Sequence, residues 1–524
     1  MDFSCNEFKK LTKEEQNLAN ITSLILNKKN FIELPKEIGF LINLENLELS
    51  CNILKELPNE ISNLTKLSSL NLQFNRLREF PSVIQNLTKI TNLNLSNNHL
   101  ISLSKEIGNL KNLINLNLNN NHLRRLPKEI INLVNLTKLN LSNNHFMKFP
   151  KEIGNLAQLK SLIFAENELT ILPKEIGNLI NLIELNFQSN NLKELPIELW
   201  KLTKLTNLEI SYNKLRSLSK DIENLKDLNY LNISGNKLKS LPKELWNLRY
   251  LTDLNISSNK LTTLPEEIGY LTNLKELQLE FNKLEILSEK LWNLIGLTSL
   301  KLRANDLIIL PKKLWNLIHL TKLDIGATDI SILPPEIGNL IQLTELNIDN
   351  NQLIELPNEL AKLTHLKSFD FRNNCFRVFP KVIWSLTSLN QLSLSNNHIT
   401  EIPKELFNLT HLTKLDISCN KITRLPKDIE KLTKLTDLNI YNNLLIEIPL
   451  ELCHLIALTR LGILNNRLRK IPKELGKLIH LKFLHLGHNK LTTIPEEIGN
   501  LTNLIDLDLS NNQLTEIPKV IFNL

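Results

Sequence analysis

The chain has 524 residues, 42% of them hydrophobic and 22% charged, with a modest formal net charge of +7. It is longer than one ordinary globular core. Its five scattered cysteines (Cys5, Cys51, Cys375, Cys419 and Cys453) argue against a disulfide framework, and no run reaches the ~18 apolar residues of a membrane helix. The first residues, MDFSCNEFKKLTKEEQNLAN, are charged and lack an apolar core of signal-peptide length, so the expected location is cytoplasmic, or exported without a recognisable signal. Residues 3 to 18 align with residues 417 to 432, but Glu15 stands at a core position and Thr12 at a proline position. Residues 1–28 are therefore expected to form a degenerate polar repeat that covers the end of a core.

From Asn6 to Asn512 one pattern recurs every 23 residues without insertion or deletion. Of its 23 asparagine positions, 21 are Asn, and the exceptions are Lys29 and Thr328. A fixed period of this size marks one supersecondary unit stacked as a solenoid, here a continuous array over residues 29–524. Within a unit, a stretch such as LIDLDLS (residues 504 to 510) alternates apolar and polar residues and reads as a short strand with one buried face. The Asn that follows sits where the chain turns inward, and its amide can serve a backbone donor and a backbone acceptor together. Of the 20 prolines, 19 fall in one column, where proline fixes the start of a return segment. EEIGNLTNL then spaces its apolar residues as a short helical return would.

These residues carry a resemblance. The pattern LPxEIGNLxNLxxLxLxxNxL is similar to the leucine-rich repeat superfamily, in the form found in many-repeat bacterial proteins and in intracellular Shoc-type and plant Ras-group scaffolds. The resemblance implies an α/β solenoid, a horseshoe or superhelix with a concave parallel sheet and short α or 3-10 helical segments on the convex side. It also implies a non-enzymatic protein-binding scaffold, probing a partner with its concave face in signalling or host interaction. No phosphate loop, nucleophile elbow or metal motif appears, and no cofactor is expected. Enzymes of the superfamily keep their chemistry in a separate domain. The second reading is accordingly the recognition portion of a larger signalling enzyme or ubiquitin ligase, with its catalytic domain absent from this chain.

Along the chain, His99, His122 and His145 each follow a ladder asparagine in consecutive repeats. They should stack about 5 Å apart, as a transition-metal site, a pH-sensitive patch or simply a solvent-facing polar column. The same edge carries Arg76, Arg78, Arg124 and Arg125, then Lys193, Lys214, Arg216 and further lysines. An anionic partner or solubility would each account for this band. Trp200, Trp246, Trp292, Trp315 and Trp384 share the column of the EIGNL glycine and should pack on the convex side or form a second contact surface.

The strand positions two, four and six before each ladder residue from Lys29 onward hold fourteen acidic and seven basic side chains. Such a face repels a phosphate backbone, so nucleic acid is not its expected partner. The candidate partner-binding residues are Tyr212, Tyr230, Glu276, Phe281, Lys301, Arg303, Lys322 and Asp324, where aromatics and both charge signs fall on neighbouring strands. Asn94, Asn140, Asn232 and Asn255 begin N-x-S triplets on strands, where glycans would obstruct the sheet. Thr328, in LDIGATDISILPPEIGNL, replaces an amide by a hydroxyl beside these residues. It is either drift absorbed by a long scaffold or a weak rung next to the binding surface.

Overall fold

A computed structural model describes residues 20–307 and 309–523 in two compact units, residues 20–261 and 262–523. Of the polar first repeat expected over residues 1–28, positions 1–19 lie outside the described residues.

The first unit contains 11 strands of three residues each, from Ser23–Ile25 to Asp253–Asn255, and the second contains 11, from Glu276–Gln278 to Asp506–Asp508. Within each unit, neighbouring strands pair in parallel at an offset of one repeat, as in Leu70 with Leu93 and Leu323 with Leu346. Both units are thus solenoids built on a parallel sheet. The returns are all 3-10 helices of five residues, such as Lys36–Phe40, closed by bonds like Leu41 N–H to Ile38 O at 3.1 Å. The expectation allowed α or 3-10 helix. A return of five residues between an extended proline and the Leu that closes it is too short for more than the tighter turn.

Apolar spacing dictates the core. In the repeat after Asn282, Leu284, Leu287, Leu291, Leu294, Leu297, Leu300 and Leu302 are all 3% exposed or less. Each such leucine contributes roughly 1.5–3 kcal/mol of burial, so each repeat is stabilised chiefly by its own apolar side chains and those of its neighbours. The proline column is the N-cap of each return, with φ −67° and ψ 145° at Pro35. Where serine replaces proline at Ser219 and Ser288, the hydroxyl accepts a backbone N–H two residues on, whereas Ser104 in the same column turns its hydroxyl to Glu106 and makes no such cap. Pro335, the one proline outside that column, lies at the first helical position, whose N–H has no intrahelical partner in any case, so it removes no donor that the return needs.

The asparagine ladder works as expected. Asn98 Nδ2 donates to Leu72 O and Leu95 O at 3.0 and 3.1 Å, and its Oδ1 accepts the Leu77 N–H at 3.0 Å. The residue before each rung has a left-handed φ in every described repeat, from Lys28 at 57° to Asn511 at 52°. At the two substituted rungs the residue after it is left-handed too, Asn30 at 57° and Asp329 at 56°. Without the amide the turn is closed differently: Lys29 N–H and Thr328 N–H both go to the side-chain oxygen of the next asparagine, Asn52 or Asn351. Asn and Asp tolerate this second left-handed residue better than most side chains.

Trp200, Trp246, Trp292 and Trp315 are buried, at 5% exposure or less, so these four serve packing and offer no contact surface.

Candidate functional site

The alternation of each strand sends its central leucine inward and its flanking residues to the open face of the sheet. The predicted residues fall into two groups, one in each unit.

In the first unit, Tyr230 donates its hydroxyl to Glu209 Oε2 at 3.1 Å, and Asn232 donates to the same oxygen at 2.8 Å. Burial, and then the Glu209 charge, push the Tyr230 phenol above its ordinary range. Tyr212 lies beside the strand rather than on it, with φ 51° and 57% of its surface exposed. Its ring covers Gly235, itself at φ +64°, where an added Cβ would come within 2.7 Å of the tyrosine Cδ1. Other repeats make this turn without glycine, so it is the Tyr212 ring, seated on Gly235, that leaves no room for a side chain there.

In the second unit, Phe281 has the same placement as Tyr212, with φ 54° and 56% exposure. Every described repeat is left-handed at this place, and a bulky aromatic there costs more than the asparagine that several repeats use. Glu276 is exposed and Lys322 pairs with Glu345 at 2.9 Å. Lys301 stands 3.8 Å from Glu280. Asp324 accepts the Gly326 N–H at 3.0 Å, and burial raises its carboxyl above the ordinary range.

Arg303 is engaged in a way no sequence signal had announced. Its Nη1 pairs with Asp349 Oδ1 and its Nη2 donates to Asp349 Oδ2 at 3.0 Å, two repeats away. It reaches that far because Gly326 stands between them: a Cβ there would collide with Asp349 Oδ1 and lie 2.5 Å from Arg303 Nη1. Arg372 approaches Asp349 from the other side, Nε to Oδ2 at 3.4 Å, and its Nη2 meets Asp370 at 3.1 Å. Asp349 is 1% exposed at its side chain, so this is a buried carboxylate held by two guanidinium groups. The irregular repeat around Thr328 thus has a use: its missing side chain is the passage for Arg303.

Asp370 differs from Asp349. Burial pushes its carboxyl up to about 6 although Arg372 opposes the shift. Between its ordinary pKa of 3.8 and about 6 the folded chain holds a proton that the unfolded chain has lost. Stability contributed by the protonated form is complete below the lower value and is lost as pH rises through about 6. Asp370→Asn should accordingly be more stable than the wild type by about 1–3 kcal/mol at pH 7.5, with the two converging toward pH 4. Urea midpoints across that range check it; a gap that does not depend on pH defeats the assignment.

Sequence reasoning passed over a second feature of the same unit. A hollow of about 580 Å³ runs over the strand faces from Ser368 to His485, with Gly462 in its lining between Asn439 and His485, and Arg460 lies over the Phe483 ring at 4.5 Å. The available signal was its position: Gly462 is the one glycine in the central strand column.

The histidines stack as expected. His99 to His122 and His122 to His145 are 5.8 and 5.6 Å between ring centroids, with nearly parallel planes. Among the described residues no group of three His, Cys, Asp or Glu side chains is arranged to hold a metal ion, so the metal alternative lacks a ligand set. Parallel rings face one another and do not converge on a common point. Burial, then the charges of His145 and His99, hold His122 below the usual imidazole range.

No helix among the described residues is long and apolar enough to cross a membrane. Among curated proteins, none matches the chain. Solved structures do. The chain is 32% identical, with a TM-score of 0.64, to the repeat ectodomain of the Arabidopsis thaliana receptor kinase GASSHO1/SCHENGEN3, solved with CASPARIAN STRIP INTEGRITY FACTOR 2. That alignment covers 97% of this chain and 64% of the receptor chain, so the protein spans less than two thirds of that relative. The plant peptide hormone receptor RGFR1, solved with RGF2, is 30% identical at TM-score 0.58, covering 94% and 90%. The Arabidopsis receptor kinase HAESA ectodomain, solved with an IDA peptide hormone ligand, is 28% identical at 0.58, covering 94% and 82%. Family models described as leucine-rich repeat region match residues 3–117, 98–220, 197–307, 309–397 and 377–478, and a leucine rich repeat model matches 456–514. With repeat models matching nearly its whole length, the chain belongs to the leucine-rich repeat family.

Proposed function

We propose that the chain is a non-enzymatic binding scaffold that holds an extended segment of a protein partner against the open strand faces, in signalling or host interaction. The observation that carries this is the exposed aromatics in the left-handed position beside the strands, Tyr212 and Phe281 with Phe74, of which Tyr212 neighbours the acidic Glu184 and Glu209 and Phe281 neighbours strands that bear both charge signs. Aromatic rings fixed by a strained backbone lose little freedom on binding, which suits them as anchors. The structural relatives named above were solved with peptide or protein ligands, which supports the same use of the fold.

A cytoplasmic setting, or export by a route without N-glycosylation, belongs to this reading. Asn94 Oδ1 receives both the N–H and the hydroxyl of Ser96, and Asn140 and Asn255 treat Ser142 and Ser257 alike. A glycan on the Nδ2 of any of these amides would leave those bonds in place but project over the open strand face.

A peptide-display library panned against the full chain tests the proposal. Tyr212→Ala and Phe281→Ala should each weaken the selected peptides by about 2 kcal/mol, roughly thirtyfold. Unchanged affinity in both variants and in Tyr230→Ala rules out this face. Arg303→Ala is a poor probe here, because it also strips Asp349 of its main partner.

A further inference from the structure

The flank of the first unit carries a second surface, away from the strand columns. Arg124, Arg125, Lys148 and Lys151 line one groove of about 830 Å³ with His145 and two carboxylates, Glu152 and Glu168, so basic groups outnumber acidic ones, and all four cations are exposed. Among the described residues none of these four has an acidic partner at ion-pair distance, whereas His145 faces Glu168 at 3.7 Å. The open strand face of the second unit is different: Lys301, Arg303, Lys322, Arg372 and Arg460 each have a carboxylate within 4 Å.

Beneath the cations the groove is apolar. Leu126, Met147, Phe149 and Pro150 form its floor, and Met147 is 66% exposed. A thioether on a flexible chain adapts to apolar partners of varied shape. Nucleic acid would call for aromatic faces on which bases stack, and the one aromatic in the floor, Phe149, is buried. A bare polyanion would leave the apolar floor unused. The two properties together define a ligand that offers carboxylates to the rim and an apolar side chain to the floor.

We infer that this flank groove is a docking site for an acidic peptide segment with interspersed apolar residues, separate from the strand-face site. Neighbouring like charges at Arg124, Arg125, Lys148 and Lys151 repel one another until such a segment neutralises them, so binding should weaken steeply with salt.

An array of octapeptides mixing Asp or Glu with Leu, Ile or Phe, probed with the labelled full chain, tests this. Acidic-apolar peptides should bind the wild type and lose at least tenfold in affinity with Arg125→Glu/Lys148→Glu. Met147→Ser should weaken them less and leave all-Glu octapeptides unaffected. These positions are exposed, so unaltered thermal melting of each variant shows that the fold is intact. All-Glu peptides or heparin binding as tightly as the mixed peptides would overturn the inference in favour of a plain polyanion surface, and retention by the charge-reversed variant would overturn it outright. Tyr212→Ala and Phe281→Ala should leave these peptides bound; loss of the mixed peptides in those variants would place them on the strand face and refute a separate flank site.

Discussion

Arg303→Met should lower the stability of the second unit by about 3–5 kcal/mol, a large effect for a side chain on the open strand face. The side chain it removes is only partly covered, but the carboxylate it leaves behind is 1% exposed. Arg372 would remain, through one contact at 3.4 Å and already shared with Asp370, together with the neutral Asn350 Nδ2, which donates to Asp349 Oδ2 at 2.7 Å. An uncompensated buried charge costs far more than the pair as a whole contributes, so the double variant Arg303→Met/Asp349→Leu should recover most of the loss. Because repeats contact chiefly their neighbours, the damage should be local, with faster amide exchange across residues 299–372 and little change in the first unit. A single variant as stable as the wild type, or a double variant worse than the single, contradicts the proposed coupling.

The second large effect is expected at Asn351. Ordinary rungs such as Asn397 accept one backbone N–H, from Phe376 at 3.1 Å. Asn351 accepts two, from Thr328 at 3.1 Å and Ile330 at 3.2 Å, while still donating to Ile325 O and Ile348 O at 3.0 Å. Each buried group orphaned by removing the amide costs roughly 1–3 kcal/mol. Asn351→Leu should therefore be less stable than Asn397→Leu by about that amount, as read from denaturant midpoints. Equal losses at the two rungs would mean that the Thr328 N–H finds another partner.

Most of the fold could be read from the sequence because its determinants are local and repeated. The strand alternation, the ladder asparagine, the proline column and the leucine spacing each act within one repeat or on the next. The stacked histidines were legible for the same reason, since a common column and a common period place them side by side. What escaped was set by absent side chains and by contacts between repeats. Gly326 lies in the irregular stretch around Thr328, and only the geometry shows Arg303 passing over it to Asp349. The left-handed φ of Tyr212 and Phe281 was hidden because several other repeats place asparagine at that position, whose tolerance of the conformation conceals the requirement. Gly462 announced itself only by being the exception in its column.

The uniform offset of one repeat between paired strands has a consequence for how such a chain can change its length. Excising or duplicating a block of 23 residues within a regular stretch rejoins strand to strand, rung to rung and return to return, so each broken backbone bond has an equivalent to replace it. Between Arg303 and Arg372 that freedom ends. The clamp on Asp349 counts its repeats: deleting the one that contains Gly326 removes the passage and sets Arg303 on the strand next to Asp349, so that it can no longer reach across, and duplicating it carries the guanidinium out of reach. Recombination between copies is neutral wherever repeats are interchangeable, and this stretch is a fixed block inside an otherwise extendable array.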